Sequence, residues 1–302
     1  MSKLKKVLLQ AGYEILEGSV HGKNQTRFTH LLVRKNDKQY FCKVNNTNEV
    51  YASHSNESLA KSFKDIPPGI QLLTAVDELE EGDHILHIYP YIDQSPVSNE
   101  SQQFNDFSVQ KSDIDAFLHR VLEAIAYVEH QELVTAYESH RQTPTENTVL
   151  ALLKKLPKDT PYAVEFLQYL LSEGNNLNEY RLSMTDIQPQ NMFWNTSDKT
   201  LILCDFEDLS PQKRYYDYAK FCTQLWVVYG RSEYAKRFIV LLFASLPTKD
   251  KSTSYSYIRF NMMFELLVNY SVFKDRITRK RIHDMMRWVR KDLLQTVNQT
   301  GE

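Results

Sequence analysis

The most informative segment of the sequence is Met184-Thr185-Asp186-Ile187-Gln188-Pro189-Gln190-Asn191, which continues as Met192-Phe193-Trp194. A polar turn over 195–200 leads to a second apolar run, Leu201-Ile202-Leu203-Cys204, which ends at Asp205-Phe206-Glu207. Residues that favour turns fill the connection, so the two apolar runs are predicted to pair as an antiparallel hairpin.

The register of this hairpin brings oxygen-bearing side chains together. When the two runs pair, Asn191 falls opposite Cys204 and beside Asp205, while Asp186 lies on the loop just before the hairpin. Amide and carboxylate oxygens are the ligands that Mg²⁺ prefers. Taken one at a time, these residues also fit turns and helix caps. Taken together, they favour a metal site with a second carboxylate close by.

The composition is that of a globular protein without a strong charge bias. The chain has 302 residues with 36 Lys+Arg and 38 Asp+Glu, a formal net charge of −2, and 42% of its residues are hydrophobic. Nucleic-acid binding proteins usually carry a strongly basic surface, so we expect no nucleic-acid partner. The apolar stretch 238–246 is about half as long as a membrane-spanning helix requires, and the first residues show no secretory pattern. We therefore expect no membrane association.

The cysteines indicate the compartment. Cys42, Cys204 and Cys222 lie far apart in apolar runs and form no Cys-x-x-Cys pair. This odd, dispersed set favours neither a disulfide framework nor a zinc site. The sequence therefore predicts a cytoplasmic protein with reduced thiols.

The N-terminal region predicts a β-rich lobe. Strands are predicted over 13–19, 29–34 and 39–44, and the last two are joined through residues that tolerate the positive φ of a tight turn. A helix is predicted over 50–63. Two more strands, over 70–76 and 84–89, are predicted to flank an acidic turn at 78–83.

From residue 94 onward the pattern is mainly helical. The polar stretch 94–111 predicts a linker, and apolar residues spaced by threes and fours from Ile114 to Val128 predict the helix that follows. The sequence thus predicts an α+β fold of two lobes, a small β-rich lobe over 1–93 and a larger helical lobe over 94–302.

The spacing Asp186-x-x-x-x-Asn191, the short hairpin and Asp205-Phe206-Glu207 together resemble the catalytic and metal-binding segment of the protein-kinase-like phosphotransferases. Gln-Pro-Gln-Asn and Asp-Phe-Glu are most similar to the aminoglycoside phosphotransferase and choline kinase group, whose members are small-molecule kinases. Arg-Tyr-Tyr-Asp-Tyr-Ala at 214–219 also resembles the helix start that follows the metal aspartate in that group. The resemblance implies a two-lobed, protein-kinase-like fold that transfers the γ-phosphate of ATP to a hydroxyl group.

By that resemblance, Asp186 would be the catalytic base, and Asn191 and Asp205 would hold Mg²⁺ on the phosphates of ATP. The small lobe would supply a lysine to the α- and β-phosphates and a glutamate that holds the lysine in place. Lys43, inside the predicted strand at 39–44, and Glu57, inside the predicted helix, are the candidates.

Both candidates have simpler interpretations. Lys43 also fits an exposed strand lysine. Glu57 also fits a solvated pair with Lys61 one helical turn later, and Glu49 near the helix start competes for the role of lysine partner. The hinge candidate is 88–92, where adenine would hydrogen-bond to backbone beside Tyr89 and Tyr91.

Three departures from the family pattern bear on activity. Met184 stands where histidine is usual, and 17–24 holds two glycines but no Gly-x-Gly-x-x-Gly. Phe41 shares the predicted strand face with Lys43, where a small residue above adenine is common. The choice between ATP and GTP is therefore open.

The substrate is also open. Aromatic residues after Asp217, together with Glu265, either build the core or hold a cationic substrate through cation–π contacts and ion pairing: Trp226, Tyr229, Tyr255, Tyr257, Phe260, Phe264 and Tyr270. The leading hypothesis is a magnesium- and ATP-dependent kinase for a hydroxyl of a small molecule, as a monomer or homodimer. The alternative, which Met184 and Phe41 favour, is a catalytically inactive pseudokinase-type protein that binds nucleotide or a partner.

Overall fold

The chain folds into a β-sheet lobe followed by a helical lobe, the α+β architecture that the sequence predicts. The computed structural model describes residues 2–16, 28–45, 58–82, 84–98, 107–131, 146–206 and 208–298. The candidate residues Glu49 and Glu57, the segment 17–24 and Glu207 lie outside the described residues. The boundary at residue 93 stays a prediction.

The elements of the small lobe are α1 (Ser2–Gln10), β1 (Glu14–Ile15), β2 (Phe28–Lys35), β3 (Lys38–Asn45), β4 (Ile70–Leu72), β5 (Asp77–Glu81) and β6 (His84–Pro90). Its main sheet is antiparallel, in the order β1-β2-β3-β6-β5. Asn36 and Asp37, at φ +50° and +60°, form the predicted turn between β2 and β3. Residues 58–62 are helical, within the predicted helix.

Alternation along the strands separates the two faces of this sheet. One face packs into a small core that also takes in Leu8 of α1: Leu31, Val33, Cys42, Val44, Leu86 and Ile88. Phe41 and Lys43 alternate with the buried residues of β3 and so belong to the opposite face. That face is the one from which Lys43 reaches the helical lobe.

Two predictions for this lobe are wrong, and one helix was not predicted. The predicted strand at 70–76 is only three residues long and leaves the main sheet to pair in parallel with residues 201–203. The predicted acidic turn is largely the edge strand β5, because acidic side chains are tolerated on an exposed edge and Gly82, at φ +58°, turns the chain after it. The basic N-terminus forms α1, whose fully buried Leu8 anchors it to the sheet.

The larger lobe is a helical body around an aromatic core that includes Phe117, Phe166, Phe221, Phe238 and Phe260. None of the described helices is long and apolar enough to cross a membrane. Its helices are α2 (Ile114–Glu129), α3 (Glu146–Lys155), α4 (Ala163–Glu173), α5 (Tyr216–Thr223), α6 (Ser232–Ser245), α7 (Lys251–Val272), α8 (Arg276–Lys291) and α9 (Leu293–Asn298).

Two short sheets lie within the larger lobe and carry the candidate site. Strands β8 (Met192–Asn195) and β9 (Thr200–Leu203) form the predicted hairpin, with β4 added to β9 as a third strand. Strands β7 (Tyr180–Ser183) and β10 (Ser210–Lys213) pair antiparallel on either side of it in sequence. The loop after β7 and the loop after β9 therefore both lead into the same region.

Candidate active site

The β8–β9 hairpin has the predicted register. Trp194 pairs with Leu201, and the amide of Cys204 donates to the carbonyl of Asn191 at 3.0 Å. The turn is held by local side-chain acceptors, since Asn195 Oδ1 accepts from the Ser197 amide at 3.0 Å. Asn191 therefore lies beside the residue that precedes Asp205, as the sequence predicts.

Helix α2 and the residue before it form hydrogen bonds with the hairpin. Asp113, which directly precedes α2, accepts hydrogen bonds from Trp194 Nε1 at 3.4 Å and from Lys199 Nζ at 2.7 Å. Arg120 Nε donates to the carbonyl of Lys199 at 3.4 Å. These hydrogen bonds join β8 and the hairpin turn to the start of α2.

Asp186 is held by two amide side chains. Gln188 Nε2 donates to Asp186 Oδ2 at 2.9 Å, and Asn191 Nδ2 donates to the same oxygen at 3.2 Å and to the Asp186 carbonyl at 3.0 Å. The sequence analysis did not single out Gln188, which has no charge to mark it. These donors orient the carboxylate while leaving it partly exposed.

Lys43 and Asp205 form an ion pair between the two lobes. Lys43 Nζ lies 2.6 Å from Asp205 Oδ1, and the two side chains are 10% and 29% exposed. The interpretation of Lys43 as an exposed strand lysine is therefore wrong. Asp205 takes a left-handed backbone conformation at φ +69°, which is uncommon for a residue other than glycine and is frequent at functional sites.

The predicted base and the two predicted metal ligands come together. Asp186, Asn191 and Asp205 border one cavity of about 10 Å³, about the space that one water molecule occupies. Asn191 directs its Nδ2 to Asp186, and no described residue donates to its Oδ1. A carboxylate and an unoccupied amide oxygen are hard donors that fit Mg²⁺.

The cleft face of the small sheet is aromatic around Lys43. The His30 and Phe41 rings lie 5.1 Å apart, and Tyr89 is buried in β6 opposite Phe41. Burial lowers the pKa of His30, Lys43 adds to this effect, and Asp205 opposes it. At the hinge candidate, Tyr91 is 42% exposed, and its amide donates to the carbonyl of Gln39 at 3.3 Å.

Glu57, the partner proposed for Lys43, lies outside the described residues. Lys61, its alternative partner, forms an ion pair with Glu78 of β5, and a pair between Lys61 and Glu57 is not tested. The role of Glu57 stays a prediction.

Asp217 organises the loop before Asp186, a role that the sequence analysis missed. Its carboxylate is 1% exposed and accepts from Ser183 Oγ at 2.7 Å, from the Met184 amide at 2.8 Å and from the Thr185 amide at 3.2 Å. The Arg-Tyr-Tyr-Asp-Tyr-Ala segment drew attention to this position. No local pattern, however, shows that an aspartate so far along the chain bonds to 183–185.

The aromatic residues after Asp217 belong to the core, and the interpretation of them as a pocket for a cation is wrong. Glu265 is 2% exposed. It accepts from Tyr216 Oη at 2.6 Å and from Lys220 Nζ at 2.8 Å, so its charge is already neutralised. Tyr255 is partly buried, and the others are buried: Trp226, Tyr229, Tyr257, Phe260, Phe264 and Tyr270.

Comparison with known proteins identifies the fold. No family model matches the chain, and no curated protein matches it in sequence. The crystal structure of aminoglycoside phosphotransferase APH(4)-Ia, however, matches over 100% of this chain and 99% of its own, with a TM-score of 0.61 and 12% identity. The chain has the aminoglycoside phosphotransferase fold.

Two further structures with this fold differ in their ligands and substrates. An aminoglycoside phosphotransferase in complex with GDP and kanamycin covers 99% of this chain and 97% of its own, with a TM-score of 0.55 and 11% identity. A microcompartment-associated aminopropanol kinase covers 100% and 99%, with a TM-score of 0.55 and 12% identity. The two-lobed, protein-kinase-like fold expected from the sequence is thereby confirmed.

Proposed function

We propose that this protein is a magnesium-dependent phosphotransferase that moves the γ-phosphate of ATP to a hydroxyl group of a small molecule. One observation carries the proposal: Asp186, Asn191 and Asp205 border a single cavity, and Lys43 reaches Asp205 from the opposite lobe. Phosphoryl transfer depends mainly on positioning and charge neutralisation. These four side chains are the groups that such a reaction needs.

Asp186 is the general base in this proposal. The substrate hydroxyl donates to the Asp186 carboxylate, which aligns the hydroxyl oxygen with the γ-phosphorus. As the new oxygen–phosphorus bond forms, the bond between the γ-phosphorus and the β–γ bridging oxygen breaks, and the hydroxyl proton passes to Asp186. Positioned bases of this kind contribute about 10²- to 10⁴-fold. Gln188 and Asn191 keep the carboxylate in place.

Asp205 and the Oδ1 of Asn191 would hold Mg²⁺, which neutralises charge on the phosphate oxygens when it is bound. Lys43 then contacts the α- and β-phosphates. Its ammonium group already lies at Asp205, so a short movement of a flexible side chain is enough to exchange one anionic partner for another.

The structurally similar proteins indicate which nucleotides and which acceptors this protein could use. A mutant of APH(4)-Ia forms a ternary complex with ADP and hygromycin B, whereas another aminoglycoside phosphotransferase binds GDP and kanamycin, and a third match is an aminopropanol kinase. We therefore propose an acceptor that carries both a hydroxyl and an amine. A cytoplasmic location, a monomeric or homodimeric state and the lobe boundary at residue 93 remain part of the same proposal.

The test is an assay of nucleotide consumption. ADP or GDP release is measured with ATP or GTP, Mg²⁺ and a panel of amino sugars, amino alcohols, choline-like amines and neutral sugars. We expect release that depends on one acceptor class and on Mg²⁺. Asp186→Asn is expected to lower kcat about 10²- to 10⁴-fold while nucleotide binding persists, and Asp159→Asn, at an exposed site, serves as the control.

The assay also decides the alternative of a catalytically inactive binder, which Met184 and Phe41 favour. A thermal shift with Mg²⁺ and nucleotide, without release on any acceptor, would support that alternative. Near-full turnover by Asp186→Asn would show that the base has been assigned wrongly.

A further inference from the structure

Thr185, the residue before Asp186, has an unusual backbone conformation. It lies at φ +53° and is fully buried. A β-branched residue rarely adopts this left-handed conformation, and it persists only where the surroundings fix it by other contacts. The conformation therefore calls for a compensating interaction at this site.

The side chain supplies that interaction. Thr185 Oγ1 donates to the carbonyl of Asp208 at 2.7 Å. Asp208 lies three residues after Asp205, so this hydrogen bond joins the loop that carries the candidate base to the loop that carries the candidate metal ligand. Neither Thr185 nor Asp208 borders the cavity that Asp186 and Asp205 share.

The backbone amide of Thr185 also forms hydrogen bonds. It donates to Ser183 Oγ at 3.0 Å and to Asp217 Oδ1 at 3.2 Å. The neighbouring side chain, Met184, has only a thioether and supplies no strong hydrogen bond. The hydroxyl groups of Ser183 and Thr185, together with the Asp217 carboxylate, therefore provide the polar contacts that fix this turn.

We propose that Thr185 is a positioning residue: its hydroxyl sets the distance between Asp186 and Asp205 by tying the two loops together. The inference rests on the proposed phosphotransferase function. Displacement of a reacting group by about 1 Å costs on the order of 100-fold in rate. Loss of the tie therefore lowers kcat more than it lowers nucleotide binding.

Three substitutions separate the hydroxyl from the backbone conformation. Thr185→Ser keeps the hydroxyl, Thr185→Val keeps the shape without it, and Thr185→Gly removes the hydroxyl while fitting φ +53° without strain. We expect Ser to stay within about 3-fold of the parent kcat, and Val and Gly to lose about 10- to 100-fold. The KM for magnesium–nucleotide should change by less than about 3-fold in all three, since none of these changes touches Lys43 or Asp205.

The glycine variant guards against failure to fold, because its melting temperature should stay close to that of the parent. Full kcat in Thr185→Gly, or equal losses in Thr185→Ser and Thr185→Val, would overturn the proposal. A loss confined to KM would overturn it as well.

A readout independent of turnover separates this inference from the proposed function. Hydrogen exchange of the amides over 184–191 should speed up in Thr185→Gly and stay at the parent rate in Thr185→Ser. If the parent shows no phosphoryl transfer, the proposed function fails, and the exchange rates alone then decide whether the hydroxyl ties the loops. Unchanged exchange in Thr185→Gly would overturn the tie.

Discussion

Lys43 Nζ lies 2.6 Å from Asp205 Oδ1 although the two residues are 162 positions apart in the chain. One comes from the central strand of the small sheet and the other from the end of the β8–β9 hairpin. The pair is the direct polar contact between the phosphate-binding candidate and the metal-binding candidate. The ammonium group of Lys43 thus lies at the carboxylate that is the candidate metal ligand.

Replacement of Lys43 by methionine should weaken nucleotide binding. A hydrogen bond to a charged group contributes about 1.5–3 kcal/mol, so the Kd for magnesium–ATP should rise about 10- to 100-fold. Isothermal titration of the variant and the parent measures this change. The same variant should bind Mn²⁺ alone more tightly than the parent, since Asp205 no longer has its lysine partner.

Lys35→Met is the matched control, because Lys35 forms an ion pair with Asp77 on the face of the small sheet opposite to that of Lys43. Its nucleotide Kd should equal that of the parent. An unchanged Kd in Lys43→Met would remove Lys43 from the site.

Phe41 is expected to bind the nucleotide base. It shares the cleft face of β3 with Lys43, lies opposite Tyr89 and is only partly buried. An aromatic face in this position offers a stacking surface for a purine, and such stacking is worth about 1–3 kcal/mol per base. Phe41→Ala should therefore weaken ATP binding by about 5- to 100-fold, as measured by titration.

Inorganic tripolyphosphate provides the control ligand for Phe41, because it has the phosphates without the base. Its affinity should be the same for Phe41→Ala and the parent, and Phe41→Trp should retain ATP binding. Equal losses for ATP and tripolyphosphate would mean that the substitution disturbs Lys43 instead.

The site was predictable where its residues lie close in sequence. Asp186, Asn191 and Asp205 occupy one hairpin and its flanking loops, and strand pairing alone determines which of them meet. Lys43 was identified through the family resemblance, which implies a lysine on a strand of the small lobe; the strand pattern alone also fits an exposed lysine. Local patterns therefore give the residue types and their spacing.

Contacts between distant segments could not be predicted in the same way. The pairing of β4 with β9, the bonds of Asp217 to 183–185 and the ion pair of Lys43 with Asp205 each join segments that only the tertiary fold brings together. A short parallel strand such as β4 has no alternation to mark its partner. Helix α1 was missed although Leu4, Val7 and Leu8 follow the three- and four-residue spacing of an apolar helix face.

The buried pair of Lys220 and Glu265 should stabilise the helical lobe only as a pair. Removal of one partner from a buried ion pair costs about 3–5 kcal/mol, since an uncompensated charge remains. Lys220→Met should therefore lower the free energy of unfolding by about that amount. Adding Glu265→Gln should recover most of the loss, because the amide oxygen still accepts from Tyr216 and no charge is left buried.

Urea unfolding of the two variants measures these differences. Arg237→Met provides the control, since its ion pair with Asp115 is about half exposed and such pairs contribute at most about 1 kcal/mol. A double variant less stable than Lys220→Met would contradict the prediction.

Glu129 should make the stability of the protein depend on pH. Burial raises the pKa of this carboxyl from 4.5 to about 8; Asp217 acts in the same direction, and the Tyr215 amide, Arg214 and Arg181 oppose it. Between these two pKa values the folded state retains a proton that the unfolded chain has lost, so the contribution is complete below about pH 4.5 and disappears as the pH rises through about 8. The free energy of unfolding should therefore fall across this range.

Glu129→Gln tests the sign of this effect. Its Oε1 can still accept from the Tyr215 amide, as Glu129 Oε1 does at 2.8 Å, but the side chain cannot ionise. The variant should be more stable than the parent at pH 8, and the difference should shrink toward pH 5.

Glu123→Gln, on the exposed side of the same helix, is the control, and its stability should follow that of the parent at every pH. Parallel curves for Glu129→Gln and the parent would show that Glu129 is already ionised in the folded protein at neutral pH, because only a carboxyl that stays protonated through this range produces the difference in slope.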